Sequence, residues 1–513
     1  MRLAWAAAGA CALIAMGVPA PGRAEDAHAL VAKALSAMGQ GRDLHTVAQL
    51  KRTTTSVNFD IVEFDHADAP YVFSGARRQT IVDDLHGQRR MSDEAQLAAS
   101  AGPPPYVMRT LEGKDGEVGE MVVADKAARS WHMEAPMAWQ TDEPIAALLL
   151  AEQAGDLKQE SDSPLHGIAQ HVVSFHQEKS PVRIYLDAHT NLPSAIETTR
   201  SWHRATSGDL AWNAWGDITD RVELMNYALG EGVRYPGQSD TFRNGVHLRA
   251  AVIDEVHFDN AVDDKAFAMK STPPPMSAHN VDDLALGEAI GMAPDPKRPI
   301  REIAPGVVQI PGSWYSTIVR QDDGLVIIDA PISAGYSRRV LDEAARRFPG
   351  MKVKALITST AFYWHIAGVR EYVARGIPIY VRDRNVAVIR ALAAAPHSLL
   401  PDALARAPRT PDIRPVSGPV TLGKGVNAIT VMPVPDGEQP MLMSSIPGAH
   451  LLHTGEMVQP LGPGGSLLYP ESLLELTHSV QAAGIDTHGL SMIGMHMSPT
   501  PWTTLESTLQ SSR

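Results

Sequence analysis

The chain has 513 residues, a formal net charge of −13 and a single cysteine. An acid excess of this size argues against nucleic acid as a partner, since phosphate backbones need clustered Lys and Arg. Cys11 stands inside the opening apolar run, so the chain beyond it has no thiol for a disulfide or a thiolate metal site, and any metal ligand there must be His or carboxylate.

The opening MRLAWAAAGACALIAMGVPAPGRAED has a basic residue at Arg2, an apolar run from Leu3 to Val18 and small residues before a cut near Ala24. This reads as a secretory signal peptide over residues 1–24 and not as a membrane span, because the run is short and no stop-transfer charges follow. A periplasmic or secreted address is expected. Two elements of helical pattern, Ala27 to Met38 and about Glu143 to Gln153, accompany many short alternating segments between Thr46 and Phe267. In TFRNGVHLRAAVIDEVHF, Asn244-Gly245 suits a two-residue hairpin turn and places Leu248, Ala250, Val252, Val256 and Phe258 on one face at period two. Residues 25–269 are therefore predicted to form a curved antiparallel β-sheet. The segments YLDAHTNLPSAIE, AWGDITDRVELMNYALGEGVRYP and VDDKAFAM resemble the bacterial lipoprotein carrier fold. That resemblance implies a half-open barrel that can hold acyl chains and work as an acyl-chain carrier, while the turn and strand pattern alone describes a structural β domain without a ligand.

Residues 270–302 are rich in proline, with Pro273 to Pro275, Pro294, Pro296 and Pro299, and read as a linker with one helical turn in VDDLALGEAIG. Beyond it the pattern changes. GVVQI, STIVR, GLVIIDA, VKALITS, IPIYV, NAITVMPV, MLMSSI, HLLHTGE and GLSMIGMH are nearly continuous apolar strands, as expected of sheets buried on both faces. SRRVLDEAARRF, AGVREYVARG, RNVAVIRALAAA and SLLELTHSVQAAG alternate with them as helices, which indicates layered α/β architecture in residues 303–513.

In that half, GLVIIDAP ending in Asp329, HIAGVREYVARGIPIYV, HLLHTGEM, IGMHMSPTPW and the APHSLLPDAL segment together resemble the metallo-β-lactamase superfamily. The resemblance implies an α+β two-domain chain whose C-terminal domain is a four-layer αββα sandwich with metals at one sheet edge. The family's loop His-x-His-x-Asp-His falls here on Thr360, Phe362, Trp364 and His365. Its later histidine falls on Gly437, its bridging aspartate on Glu456 and its last histidine on His496. Only His365 and His496 are unchanged, and Glu456 is a conservative replacement. All three ligands implied for the first metal are gone, while two histidines and one glutamate of the second persist, a set that on its own chemistry can hold zinc with an open position for water.

The replacements argue the other way: Phe362 and Trp364 are large apolar groups expected to fill the metal hollow, and Glu456 reaches one methylene further than aspartate. The expected cofactor is thus none or one zinc at His365, Glu456 and His496. The leading reading is a weak or non-catalytic relative that binds a small or lipidic ligand; the rival is a mononuclear metal-dependent hydrolase of an ester, lactone or amide with Asp329 supporting the loop. No catalytic residue is assigned. His453 is placed on the face opposite Glu456 and His450 too far along the strand. Asp436 and Glu438 read as a solvated turn, and His166, His171, His176 and His203 as surface histidines. For His397 no spacing places it at the site. No G-x-S-x-G, S-x-x-K, G-x-G-x-x-G or Walker pattern occurs, which leaves serine hydrolysis and nucleotide binding unsupported.

Overall fold

A computed structural model describes residues 26–60, 71–99, 106–114, 116–123, 126–133, 141–202, 212–269, 282–288, 297, 299–434, 440–459, 467 and 470–511. The segment read as a signal peptide, most of the Pro-rich stretch, His203, Asp436, Gly437 and Glu438 lie outside these. Within them the chain is mixed α+β and strand-rich. No described helix is long and apolar enough to cross a membrane.

Residues 49–259 supply a 13-stranded sheet in which every pairing is antiparallel, and a separate two-stranded ribbon of Ala228–Gly230 and Val233–Tyr235. From the edge strand Lys126–Met133 it runs back through successive hairpins to Gln49–Asp60, which pairs with the last strand, Val246–Asp259. The order then continues through Gln238–Arg243, Ile218–Met225 and Pro193–Arg200 towards Lys158–Gln159. The helices Ala27–Gly39 and Pro144–Gln153 pack together on this sheet around Leu30, Met38, Ile145, Leu148, Ile184 and Ile196.

The hairpin at Asn244-Gly245 forms as expected, with both residues at positive φ (48° and 83°) as a type I′ turn requires. The strand after it departs from the expected alternation. Thr53 pairs with Glu255 and Thr54 with Ile253, so Asp254 is a bulge residue that reverses which side chains point inward. Val256 and Phe258 pack in the helix-side core, but before the bulge the inward residues are Arg249, Ala251 and Ile253, and Val252 is 54% exposed. A bulge is invisible to period-two reading because the pattern on each side of it is regular.

Residues 301–501 supply two more sheets. Seven strands from Arg301–Ala304 to Ile413–Val416 are antiparallel at first and parallel from Gly324–Ile328 onward; six strands from Val420–Leu422 to Met497–Pro501 form the other. Their facing sides share one apolar core of Val326, Ile328 and Ile357 against Val431, Leu442 and Ile493. Helices Ala334–Arg347, Val369–Ala374 and Val386–Ala394 cover the outer face of the first sheet, and Pro470–Ala482 and Trp502–Ser511 that of the second. The layers thus run helix, sheet, sheet, helix, and the near-continuous apolar strands follow from burial on both faces.

The 13-stranded sheet and the layered half meet at the loop after Val386–Ala394. Asp217 accepts from the Ser398 N–H and Oγ (2.7 and 2.6 Å), its own N–H donates to Pro396 O (2.7 Å), and Trp202 Nε1 donates to Leu400 O (2.9 Å).

Candidate metal centre at the sheet edge

Three loops leave the C-terminal ends of strands in the two facing sheets and converge. His365 follows Val353–Thr358, Glu456 follows Leu451–His453, and His496 sits in the turn between Ser491–Gly494 and Met497–Pro501. Backbone bonds lock them together: Leu442 N donates to Ser359 O (2.8 Å), Thr454 N to Ile493 O (2.8 Å) and Met495 N to Gly455 O (3.1 Å). Gly455 is at φ 62°, and a Cβ there would lie 3.2 Å from Ser359 Cβ, so a side chain would push the two sheet edges apart.

The structure brings together the three persisting residues of the sequence analysis. One donor atom from each of His365, Glu456 and His496 lies within 4.8 Å of the others. His365 Nδ1 is 3.0 Å from Glu456 Oε2, and His496 Nε2 is 3.4 Å from Glu456 Oε1. Despite that proximity, neither His365 ring nitrogen nor Glu456 Oε2 has an aligned hydrogen bond among the described residues. His365 and Glu456 are fully buried, and the His496 side chain keeps 17% of its exposure. Burial acts to raise the Glu456 carboxyl, but the two imidazoles outweigh it and hold the group below its ordinary range.

This set fits a single ion. Ligands about 2.1 Å from a tetrahedral zinc stand about 3.4 Å apart, close to the spacings present, and buried donors without aligned partners are free to turn towards a cation. It does not fit two ions. The Thr360 hydroxyl accepts from Phe362 N (3.1 Å), and Phe362 is buried in the helix-side core.

The aromatic replacements line one side of the cluster and do not part its members. The Phe362 ring centroid is 5.6 Å from that of His365 and 4.8 Å from that of Trp364, and Trp364 stacks on Trp314 at 5.5 Å. The extra methylene of Glu456 is accommodated, since its oxygens still reach both imidazoles. Trp314, 5.9 Å from the His365 ring, escaped notice in the sequence because it belongs to no motif.

Asp329 lies just beneath. Its carboxylate accepts from Ser359 N (2.7 Å) and Oγ (2.8 Å), which fixes the start of the loop that carries His365. Two non-glycine residues at positive φ, Asp329 (66°) and Ile332 (73°), mark this turn as strained, and Ile332 N donates to Trp364 O (3.0 Å). His453, expected on the far face, instead points at Asp329, with Nε2 3.5 Å from Oδ2. The short strand ends at His453, so counting alternation onward from it fails. Burial pushes His453 down to about 3, so it is neutral, and Gly455 N donates to its Nδ1 (3.2 Å). His450 is exposed. His397 stands 3.1 Å from Asp402 and packs at a tilt against Trp202, outside the cluster. His166, His171 and His176 each pair with a carboxylate, Glu223, Asp162 and Asp156 respectively, none of them in the cluster.

No family model matches this chain, and no curated protein does. Among solved structures it is similar to a metallo-β-lactamase from Pontibacter korlensis (15% identity, TM-score 0.32, covering 41% of this chain and 97% of that one). It is also similar to the DIM-1 metallo-β-lactamase (16%, 0.31, 41% and 95%) and the inverting sec-alkylsulfatase Pisa1 from Pseudomonas sp. (17%, 0.31, 41% and 40%).

Proposed function

We propose that the protein is an exported member of the metallo-β-lactamase superfamily whose two-metal centre is reduced to one position, and that it acts as a weak mononuclear hydrolase of an ester, lactone or amide. The family assignment is supported by the order of motifs along residues 303–513 together with the helix, sheet, sheet, helix layering. In the same reading residues 25–269 are a separate β domain joined by the linker 270–302, and residues 1–24 are removed on export. The observation that carries the one-metal reading is the convergence of His365, Glu456 and His496 with buried donor atoms that lack aligned partners.

His365 and Glu456 would hold the ion through buried donors, and His496 through a side chain that still reaches solvent. A bound zinc would supply a Lewis acid and lower the pKa of water at its open position. Phe362, Trp364 and Trp314 keep bulk water from the His365 side, and Asp329 holds the loop in place through Ser359. Turnover is expected to be slow because Thr360, Phe362 and Gly437 offer no ligand set for a second ion to share the developing charge.

Elemental analysis of the purified chain tests this. One zinc per chain is expected, lost in His496→Ala and in Glu456→Gln, together with zinc-dependent cleavage of an activated ester. A chain that stays metal-free after zinc loading sinks the reading. Stoichiometric zinc without any metal-dependent hydrolysis removes the hydrolase and leaves a non-catalytic metal protein.

A further inference from the structure

We propose that the concave face of the 13-stranded sheet is a binding site for a small polar oxyanion, a carboxylate or a phosphate. A cavity of about 560 Å³ opens there, within the roughly 300–1,000 Å³ usual for small-molecule sites. Its lining contains five arginines and no lysine, in a chain of strongly negative net charge. Guanidinium forks match carboxylate and phosphate oxygens in pairs, which a lysine cannot do.

Four of the arginines have partners within the fold. Arg52 and Arg90 hold the buried Asp83 at 2.5 and 2.6 Å, and Arg90 also reaches Asp142 at 2.9 Å. Arg200 and Arg243 share Asp220 at 2.8 and 2.6 Å. Arg249 has no side-chain hydrogen bond or ion pair among the described residues, and its Nε is buried without a partner. Strand register puts two further donors beside it. Arg249 is paired across the sheet with Asn58 on one side and Thr241 on the other, so the three form a row over adjacent strands, with side chains about 5 Å apart at Cβ.

Asn58 Nδ2 and Thr241 Oγ1 are likewise buried without partners, as is Oγ1 of Thr198, which is 6% exposed and lies in the next row opposite Asp220. All four groups can donate, and all four line the same cavity. Leaving a buried donor unpaired forfeits its hydration without return, so four on one space are best explained by an acceptor that satisfies them together. Burial pushes the neighbouring Glu112 carboxyl up to about 7, which weakens its opposition to an anion. Nineteen of the 29 lining residues are polar or charged, unlike the apolar wall that an acyl chain needs, so the lipid ligand expected from the sequence is not the occupant favoured here.

The test is calorimetric titration of the full chain with inorganic phosphate and with succinate, with dodecanoate and dodecanol as apolar controls. Saturable one-to-one binding of phosphate or succinate is expected, and whichever binds tighter identifies the head group. Arg249→Met should weaken it at least tenfold while melting no lower than the wild type, because the partly buried guanidinium it removes has no partner among the described residues. Thr241→Val, which takes away one donor and no charge, should weaken it about fivefold and serves if Arg249→Met does not fold. Binding should be unchanged in His496→Ala, which separates this cavity from the metal cluster. The proposal is overturned if neither anion saturates, if these variants bind like the wild type, if His496→Ala abolishes binding, or if dodecanol binds as tightly as succinate and phosphate.

Discussion

Two buried clusters in the C-terminal half set an imidazole against a carboxylate, and they differ in what balances the acid. In one, Arg370 forks onto Asp402 at 2.6 and 3.0 Å and gives its remaining N–H groups to the carbonyls of Leu392, Ala393 and Ala395. Asp402 also caps the short helix Ala403–Arg406 by accepting from Ala405 N (2.7 Å). In the other, Glu456 has only His365 and His496, and among the described residues no Lys or Arg pairs with it. His397 in the first cluster, like His365 in the second, has no aligned hydrogen bond at either ring nitrogen among the described residues, so the difference lies in the guanidinium. A permanent charge forked onto the acid builds a structural tie, whereas an acid faced only by imidazoles suits an exchangeable cation.

The largest effect should come from breaking the structural tie. Asp402→Asn leaves Arg370 buried against a neutral amide, and a loss of about 3–5 kcal/mol is expected in urea unfolding, the same with zinc or with chelator. The metal cluster should behave in the opposite way. Free zinc at a thousandfold excess over its Kd should stabilise the wild type by about 4 kcal/mol, and Glu456→Gln should abolish that gain while costing the chelated protein less than the Asp402 change. Equal zinc responses in wild type and Glu456→Gln would erase the distinction between the clusters.

Much of this architecture is legible in the sequence. Strands buried on both faces write continuous apolar runs, and the helices between them write a period near 3.6, so both kinds of element in residues 301–501 could be placed from pattern. His365, Glu456 and His496 stood out through the resemblance drawn from the sequence, as the residues of ligand type at its expected positions. Three features were out of reach for physical reasons. The bulge at Asp254 reverses the inward face without disturbing either local pattern, which hid Arg249 as an inward arginine. His453 ends a strand of three residues, too short for alternation to predict its direction. The separation of paired from unpaired arginines on the concave face depends on partners far away in sequence, such as Asp83 for Arg52 and Asp220 for Arg200.

The smallest effect concerns the two aspartates that the layered half buries, and it has opposite signs. Arg370 and His397 outweigh burial and hold Asp402 well below the ordinary 3.8, so its stabilisation is present above that value and is lost as the pH falls. Asp329 has no cation to help it: His453 is neutral, Glu456 adds negative charge, and only Ser359 donates. Burial therefore pushes Asp329 up to about 7. Between 3.8 and 7 the folded chain holds a proton that the unfolded chain has released, so its contribution is fullest below 3.8 and declines as the pH rises through 7. Asp329→Asn keeps an acceptor for Ser359 N and a donor for Ser359 Oγ but cannot ionise. In chelator, urea unfolding of this variant between pH 4 and pH 8 should lack the declining limb of the wild type. Parallel profiles would mean that Asp329 is ionised in the fold, and that a cation other than His453 stands within reach of it.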